Sequence, residues 1–464
     1  MAATISIIGL GPGDPALRTI AAQRALDGAR LIVLRTRVHP GLTDLADDPR
    51  VIDCDDLYGA AQSFDSLYPA IAQRVIDQTA ALDEGLVVYA VPGHPRFGER
   101  SVPLIEAAAM KAGIEIHDLP AVSAIDVVAT TLRIDPLADQ VQCLDALSLV
   151  AAINAEPFGG GLIALDSRRP VFISQIYSSA IAAALKLALA RLYPEDQRVT
   201  LIISAGIPGA ERIVDCHLYE LDRQTVDHLT SVWIPAKPGF EADRVPQTLQ
   251  QIVAYLRSPA GCPWDRDQTH QSLRSAVIEE AYEVVDAIDD DDPHQLAEEL
   301  GDLLLQVSLH AQIAEEAGTF LLEDVYQQIA QKLLRRHPHV FGDVTAETPD
   351  AVIQTWEAIK AEERAAKPAK SDSSLIGGLP RSMPALQRAA AILTERSTAP
   401  HRLVTGDEAA TIGDAILAAA ETAVDCNLDP EMLLNAALNH RFAVAPTSAL
   451  MATNEVQKES KPRV

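Results

Sequence analysis

The sequence is short of positive charge. It carries 38 lysines and arginines against 65 aspartates and glutamates, a net charge of −27. A surface of that sign repels nucleic acid and anionic lipid, so neither is an expected partner. Cysteine is scarce and scattered: Cys54, Cys143, Cys216, Cys262 and Cys426 form no Cys-x-x-Cys pair. That spacing argues against a zinc site or a disulfide framework and for reduced thiols in a cytoplasm. Aromatics make up only 4% of residues. No uninterrupted apolar run is long enough to cross a bilayer. The start, Met-Ala-Ala-Thr-Ile-Ser-Ile-Ile-Gly, has neither a basic n-region nor a cleavage pattern, and the expected location is the cytoplasm. At 464 residues the chain has room for two or three domains.

What is present begins with acids inside apolar stripes. Val277–Ile288 and Leu296–Leu305 have apolar residues three and four apart, which predicts two helices. Asp289 to Pro293 reads as the turn between them. Glu280 sits between Val277 and Val284 at helical spacing, and Glu299 between Leu296 and Leu303. Glu283 and Asp302 lie three residues further along the same faces. Packed together, the helices would aim Glu280, Glu283, Glu299 and Asp302 at one another. Buried, mutually repelling carboxylates need protons or a cation. An all-oxygen set suits a hard ion, Mg²⁺ first and Mn²⁺ second. A solvated acidic helix pair is the competing reading.

The first half reads as α/β. Thr4–Ile8 is a strand, followed by the loop Gly9-Leu-Gly-Pro-Gly-Asp-Pro15 and a helical pattern over Leu17–Leu26. That loop lacks both the full dinucleotide glycine pattern and the Gly-Lys-Ser/Thr ending of a phosphate loop. Strands follow at Leu31–Leu34, Gly85–Val91 and Ile114–Leu119, with helices at Tyr68–Leu82 and Pro103–Ala112. Pro92-Gly-His-Pro95 and Pro120-Ala-Val-Ser-Ala124 stand at strand C-termini, where open α/β sheets bind ligands. Three segments, Gly9–Pro15, Tyr89–Pro95 and Val122–Ala124, resemble the tetrapyrrole methylase family. The likeness runs on through Thr200–Gly206 to about Trp233. It implies an S-adenosylmethionine cleft bordered by Gly11, Gly13 and Asp14 and contacted by Gly93, His94, Ser123 and Ala124.

A linker begins at Ile234, and from Val245 the pattern is nearly all helical, with a loop over Ser258–Gln268 and Thr269 as a helix N-cap. A third helix, Leu322–Leu334, ends in Lys332-Leu-Leu-Arg-Arg336-His-Pro-His. This basic cluster is either a helix-dipole device or a phosphate clamp. Trp356 and Lys360, four apart, add a stacking surface and a cation; Trp356 as core filler is the alternative. Acids and clamp together suit Mg²⁺-dependent attack of water on a polyphosphate. Cys262–His270, Glu279–Glu283, Glu298–Asp302 and Lys332–Phe341 resemble the MazG family of nucleoside triphosphate pyrophosphohydrolases.

That resemblance implies metal ligands Glu280, Glu283, Glu299 and Asp302, with Glu279 and Glu298 behind them, one as base. It also implies phosphate contacts from Lys332, Arg335, Arg336 and Lys360, base contacts from Trp356 and His270, and a homodimer. Thr411-Ile-Gly-Asp414 and Asn439–Phe442 echo the same motifs without their acids or paired arginines, which predicts a degenerate second repeat. The expected layout is multidomain: an α/β methylase-like domain over 1–236, an all-α MazG-like domain over 245–365, the repeat over 376–450 and a disordered tail over 451–464. Two other activities stay open: methyl transfer as the main one, or a non-catalytic adaptor built on the acidic helices.

Overall fold

The computed structural model describes residues 3–61, 63–155, 165–237, 239–346, 348–366, 383–389, 407–426 and 428–442. The chain divides into two compact units, Met1–Tyr326 and Gln327–Val464.

The first unit opens with a five-stranded parallel sheet, ordered β3-β2-β4-β1-β5. Its strands are β1 (Thr4–Gly9), β2 (Leu31–Leu34), β3 (Val51–Asp53), β4 (Leu86–Val91) and β5 (Ile116–Asp118). Both faces are covered, which is why β1, β2 and β4 are near-continuous apolar runs. Ile5, Ile7, Val87 and Tyr89 point to a core shared with α3 (Phe64–Ala80) and α4 (Ser101–Ala112). Ile8, Ile32 and Val88 face the other way, onto Ala22 and Leu26 of α1 (Ile20–Gly28). A short helix, α2 (Asp55–Ala60), precedes α3. Thr19 caps α1 through its side chain, so the helix starts three residues later than the apolar pattern alone suggests.

A second sheet, ordered β6-β7-β10-β8-β9, is mixed. β6 (Gln142–Asp145) runs parallel to β7 (Val171–Ser174). β10 (Thr230–Ile234) is antiparallel to both β7 and β8 (Arg198–Ile203), and β8 pairs antiparallel with β9 (Arg212–His217). α5 (Ala124–Leu132), α6 (Ala146–Ala155) and α7 (Ser179–Leu189) belong to this lobe.

Helices complete the first unit: α8 (Pro246–Arg257), α9 (Pro263–Asp267), α10 (Arg274–Asp289) and α11 (Pro293–Glu316). The segment expected as a plain loop therefore contains α9, started by Pro263 at its first turn. Thr269 caps only the turn that leads into α10: its Oγ1 accepts from the Ser272 amide at 3.1 Å. Between α10 and α11 the chain reverses at Asp291, with φ of +53°, and Asp292 caps α11 through its side chain. Arg257, 8% exposed, holds this part together. It forms a two-pronged pair with Glu316 (2.8 and 2.9 Å) and donates to the Gln268 carbonyl at 3.1 Å.

The boundary between units falls within α12 (Leu322–Arg336). Beyond it come α13 (Pro338–Phe341), α14 (Pro349–Ala366), α15 (Asp407–Asp425) and α16 (Pro430–Phe442). Arg388 donates to Asn435 at 3.0 Å, tying the 383–389 segment to α16. Thr411 and Asp414 lie on α15, and Asn439 to Phe442 end α16. The tail from Met451 lies outside the described residues, as do residues 367–382 between the expected MazG-like domain and repeat. No described helix is long and apolar enough to cross a membrane.

Candidate functional site

The acidic helices α10 and α11 pack side by side, and their facing acids meet. Glu280, Glu283 and Glu299 each offer a carboxylate oxygen, and these oxygens lie within 4.8 Å of one another. Glu280 and Glu299 are half-buried and Glu283 is exposed. Burial, then the charges of Glu280 and Glu279, a hydrogen bond to Glu280 and the charge of Asp302 raise the Glu283 pKa above the ordinary carboxylate range. Asp302, Glu279 and Glu298 are exposed. Of the four acids expected to converge, Glu280, Glu283 and Glu299 do so and Asp302 is not in the group. Burial was expected for them as well; instead Glu283 and Asp302 are exposed, so the cluster opens to solvent.

Two residues that the motifs did not single out continue the same face of α11. Gln306, 6% exposed, donates from Nε2 to Glu280 Oε1 at 3.3 Å, while its Oε1 has no hydrogen-bond partner. Its place four residues beyond Asp302 was a legible signal. Four residues further still, His310 stacks on His270 with Nδ1 atoms 2.8 Å apart. Burial first, and then His270, lowers the His310 pKa.

The basic cluster belongs to the second unit. Arg335 and Arg336 both bind Glu363, the latter through Oε2 at 2.6 Å. These hydrogen bonds, Arg336 first, pull the Glu363 pKa down to about 2. Lys360 Nζ lies 3.7 Å from the Trp356 ring centre and the Arg336 guanidinium 5.8 Å from it. Trp356 is half-buried and Lys332 exposed. Glu363 was missed because a contact spanning 27 residues leaves no local pattern.

The α/β part holds a cavity of about 880 Å³. Of the residues expected there, Gly93, His94 and Ala124 line it; Gly11, Gly13, Asp14 and Ser123 are not among its lining. Three of those four have local structural contacts. Gly11 and Gly93 exchange backbone hydrogen bonds at 2.8 and 3.2 Å. Asp14 caps the following turn by accepting from the Ala16 amide at 2.8 Å. Ser123 is held by Asp126 in a capping box at the start of α5. A side chain at Gly9 would collide with the Gly93 carbonyl oxygen, 2.2 Å from its Cβ position, so only glycine lets these loops close. His39 donates from Nε2 to the Gly11 carbonyl at 3.1 Å, and burial drops its pKa to about 4.

Residues 4–222 match the family described as Tetrapyrrole (Corrin/Porphyrin) Methylases, and residues 268–341 match the MazG nucleotide pyrophosphohydrolase domain. The chain is 38% identical over 393 residues to the uncharacterized protein YabN of Bacillus subtilis, spanning 84% of this chain and 76% of that protein. The chain belongs to the YabN family. In this chain a tetrapyrrole methylase fold precedes a helical MazG domain. The helical part is also 49% identical over 149 residues to the nucleoside triphosphate pyrophosphohydrolase/pyrophosphatase MazG of Thermotoga maritima. That match covers 32% of this chain and 55% of the relative, so the chain spans about half of that protein's length. Among solved structures, the uroporphyrin-III-C-methyltransferase of Thermus thermophilus aligns with 52% of this chain and 99% of its own, at 18% identity and a TM-score of 0.38.

Proposed function

We propose that this YabN-family protein hydrolyses nucleoside triphosphates to nucleoside monophosphates and diphosphate, using a divalent cation, Mg²⁺ before Mn²⁺. The observation that carries this reading is the meeting of Glu280, Glu283 and Glu299 within 4.8 Å. Three converging carboxylates fit a hard cation, and the Glu283 pKa is raised by burial first and then by the neighbouring charges of Glu280 and Glu279. When bound, such a cation supplies Lewis acidity and neutralises polyphosphate charge.

The chain's own residues do the rest. Gln306 holds the Glu280 carboxylate by its Nε2 donor. Asp302 adds its charge beside Glu283. Glu279, whose charge bears on Glu283, takes the proton of the attacking water at a carboxylate oxygen, in preference to Glu298. Lys332, Arg335, Arg336 and Lys360 bind phosphate oxygens, with Glu363 as the counter-ion that the substrate displaces or shares. Trp356 and His270 hold the base. The chain acts in the cytoplasm as a homodimer. Exposed apolar side chains along the acidic helices, Tyr282 (47%), Leu300 (49%) and Leu304 (46%) among them, support the assembly.

The α/β part is the second site of this reading. Its cavity falls within the roughly 300–1,000 Å³ of small-molecule sites, and its glycine loops lie at strand ends. S-adenosylmethionine fits that volume, and methyl transfer is the activity it would serve.

The test uses full-length protein with a panel of ribo- and deoxyribonucleoside triphosphates, with and without Mg²⁺. Monophosphate and diphosphate should appear together and only with the cation. Equal release from a Glu280→Ala, Asp302→Ala double variant would end the assignment.

A further inference from the structure

The lining of the α/β cavity has a charge that its family's typical substrates do not match. Among the described lining residues stand three carboxylates, Asp55, Glu99 and Asp227, three imidazoles, His39, His94 and His228, and one guanidinium, Arg35. Arg35 is already spent: its Nη1 lies 2.9 Å from Glu99 Oε2, and the Glu99 side chain is only 2% exposed. Burial works against the Arg35 charge, but Glu99 and the surrounding phenols outweigh it, so the guanidinium stays protonated. Glu99 is held in turn by the Ser101 amide (3.0 Å) and hydroxyl (2.7 Å).

Arginines beside the lining are likewise engaged. Arg37 pairs with Asp53 at 2.6 Å, and Arg96 with Asp118 and Glu106. Arg100, outside the lining, is the exception: it donates to the neutral Ser148 hydroxyl at 3.2 Å, so one cation beside the cavity has no acid in an ion pair with it among the described residues. The remaining wall is largely aromatic and aliphatic, with Tyr58, Tyr68, Phe97 and Tyr177 among its members.

The second-lobe wall is a built one. Gln175 and Ser204 line the cavity at the ends of β7 and β8, each with a left-handed backbone (φ +66° and +54°). Non-glycine residues take that conformation at a cost, and such strain gathers at ligand sites. Gln175 also donates to the Gly98 carbonyl at 3.0 Å, linking this wall to the loop beside Glu99.

Porphyrins and corrins of the biosynthetic type carry carboxylates around the ring. Binding one requires several free cations, since each unpaired buried charge is costly. We propose that this cleft excludes polycarboxylate tetrapyrroles and takes instead a ring-bearing acceptor that is neutral or cationic. Asp55 accepts from the Arg37 amide at 2.9 Å and Asp227 from the Leu229 amide at 2.9 Å and the Thr230 hydroxyl at 3.0 Å, but neither has a cationic side chain in an ion pair with it among the described residues. Aromatic walls beside such carboxylates favour the guest through stacking and cation–π contact. The inference rests on the reading of this cavity as a methylase site.

The experiment titrates three probes into full-length protein at about pH 8, where ordinary imidazoles are neutral, and about 0.15 M salt. S-adenosylhomocysteine, followed by calorimetry, tests the underlying reading; its failure to bind removes the site itself. In protein saturated with it, uroporphyrin III should show no saturable binding. A tetracationic N-methylpyridyl porphyrin of similar ring size should bind as a single equivalent. A Val38→Lys, Leu147→Lys variant, its fold checked by its unfolding midpoint, adds cations to the lining. It should weaken the cationic probe by about tenfold and give uroporphyrin III measurable affinity. Single-site binding of uroporphyrin III to the unaltered protein overturns the proposal. So does indistinguishable behaviour of both porphyrins with the lysine variant, which would place them on the acidic exterior.

Discussion

The two candidate sites of the first unit treat charge in opposite ways. Around the α/β cavity, guanidiniums and carboxylates close on one another: Arg35 with Glu99, Arg18 with Asp44, Arg37 with Asp53. On α10 and α11, Glu280, Glu283 and Glu299 converge with no cationic side chain recorded against them among the described residues. A region whose guanidiniums are paired as it folds spends little stability on holding them. A region that gathers like charges gives up stability until something of opposite sign arrives. The same molecule therefore holds one site where most of the arginines are paired by folding and one where like charges are gathered unpaired.

Substitutions should separate the two. The largest effect is expected from Glu280→Ala with Asp302→Ala. Diphosphate release should fall by roughly 10²-fold or more, the scale of losing about 3 kcal/mol of transition-state stabilisation. The metal-free unfolding midpoint should change little, because relief of like-charge repulsion offsets the lost Gln306–Glu280 hydrogen bond; a large drop would make these acids structural. Gly9→Ala is the mirror case. Its Cβ would press on the Gly93 carbonyl and on Ala121, and overpacking of this kind costs about 1–3 kcal/mol. Denaturant unfolding should report the loss, with nucleotide hydrolysis by the folded fraction unchanged.

Arg336→Ala tests the basic cluster. KM for the triphosphate should rise about tenfold, as expected for one charged hydrogen bond, with kcat less affected. The Glu363 carboxyl, followed by NMR, should move from about 2 up toward the ordinary glutamate value of about 4.3. In the unaltered protein, the stability this contact gives is present above that ordinary value and is lost as pH falls toward about 2. Glu283 has the opposite sign. Its folded pKa is raised, so its penalty is absent below the ordinary glutamate pKa and full above the folded one. Glu283→Gln should therefore raise the metal-free melting temperature at neutral pH by a small margin that vanishes in acid.

The parallel sheet was legible because β1, β2 and β4 are buried on both faces and leave uninterrupted apolar runs. The second lobe was largely not. β9 is mostly exposed or half-exposed, and β6 and β7 are four residues long, so neither gives a pattern that stands above the background. The meeting of Glu280 and Glu299 could be read from carboxylates set inside apolar stripes. Their partial exposure could not, since a helix stripe does not reveal what covers it. Arg35–Glu99 and Arg335–Glu363 join distant segments, and no spacing rule reaches that far.

The central claim is that the α10–α11 cluster is a cation site left open by the fold. Calorimetric titration of Mg²⁺ and Mn²⁺ into metal-free, full-length protein tests it most directly, with a Glu280→Gln, Glu283→Gln variant alongside. The account predicts saturable binding accompanied by proton release near the Glu283 pKa, a higher melting temperature in the bound state, and loss of both in the variant. Binding and stabilisation that are the same in protein and variant, or absent from both, would contradict it.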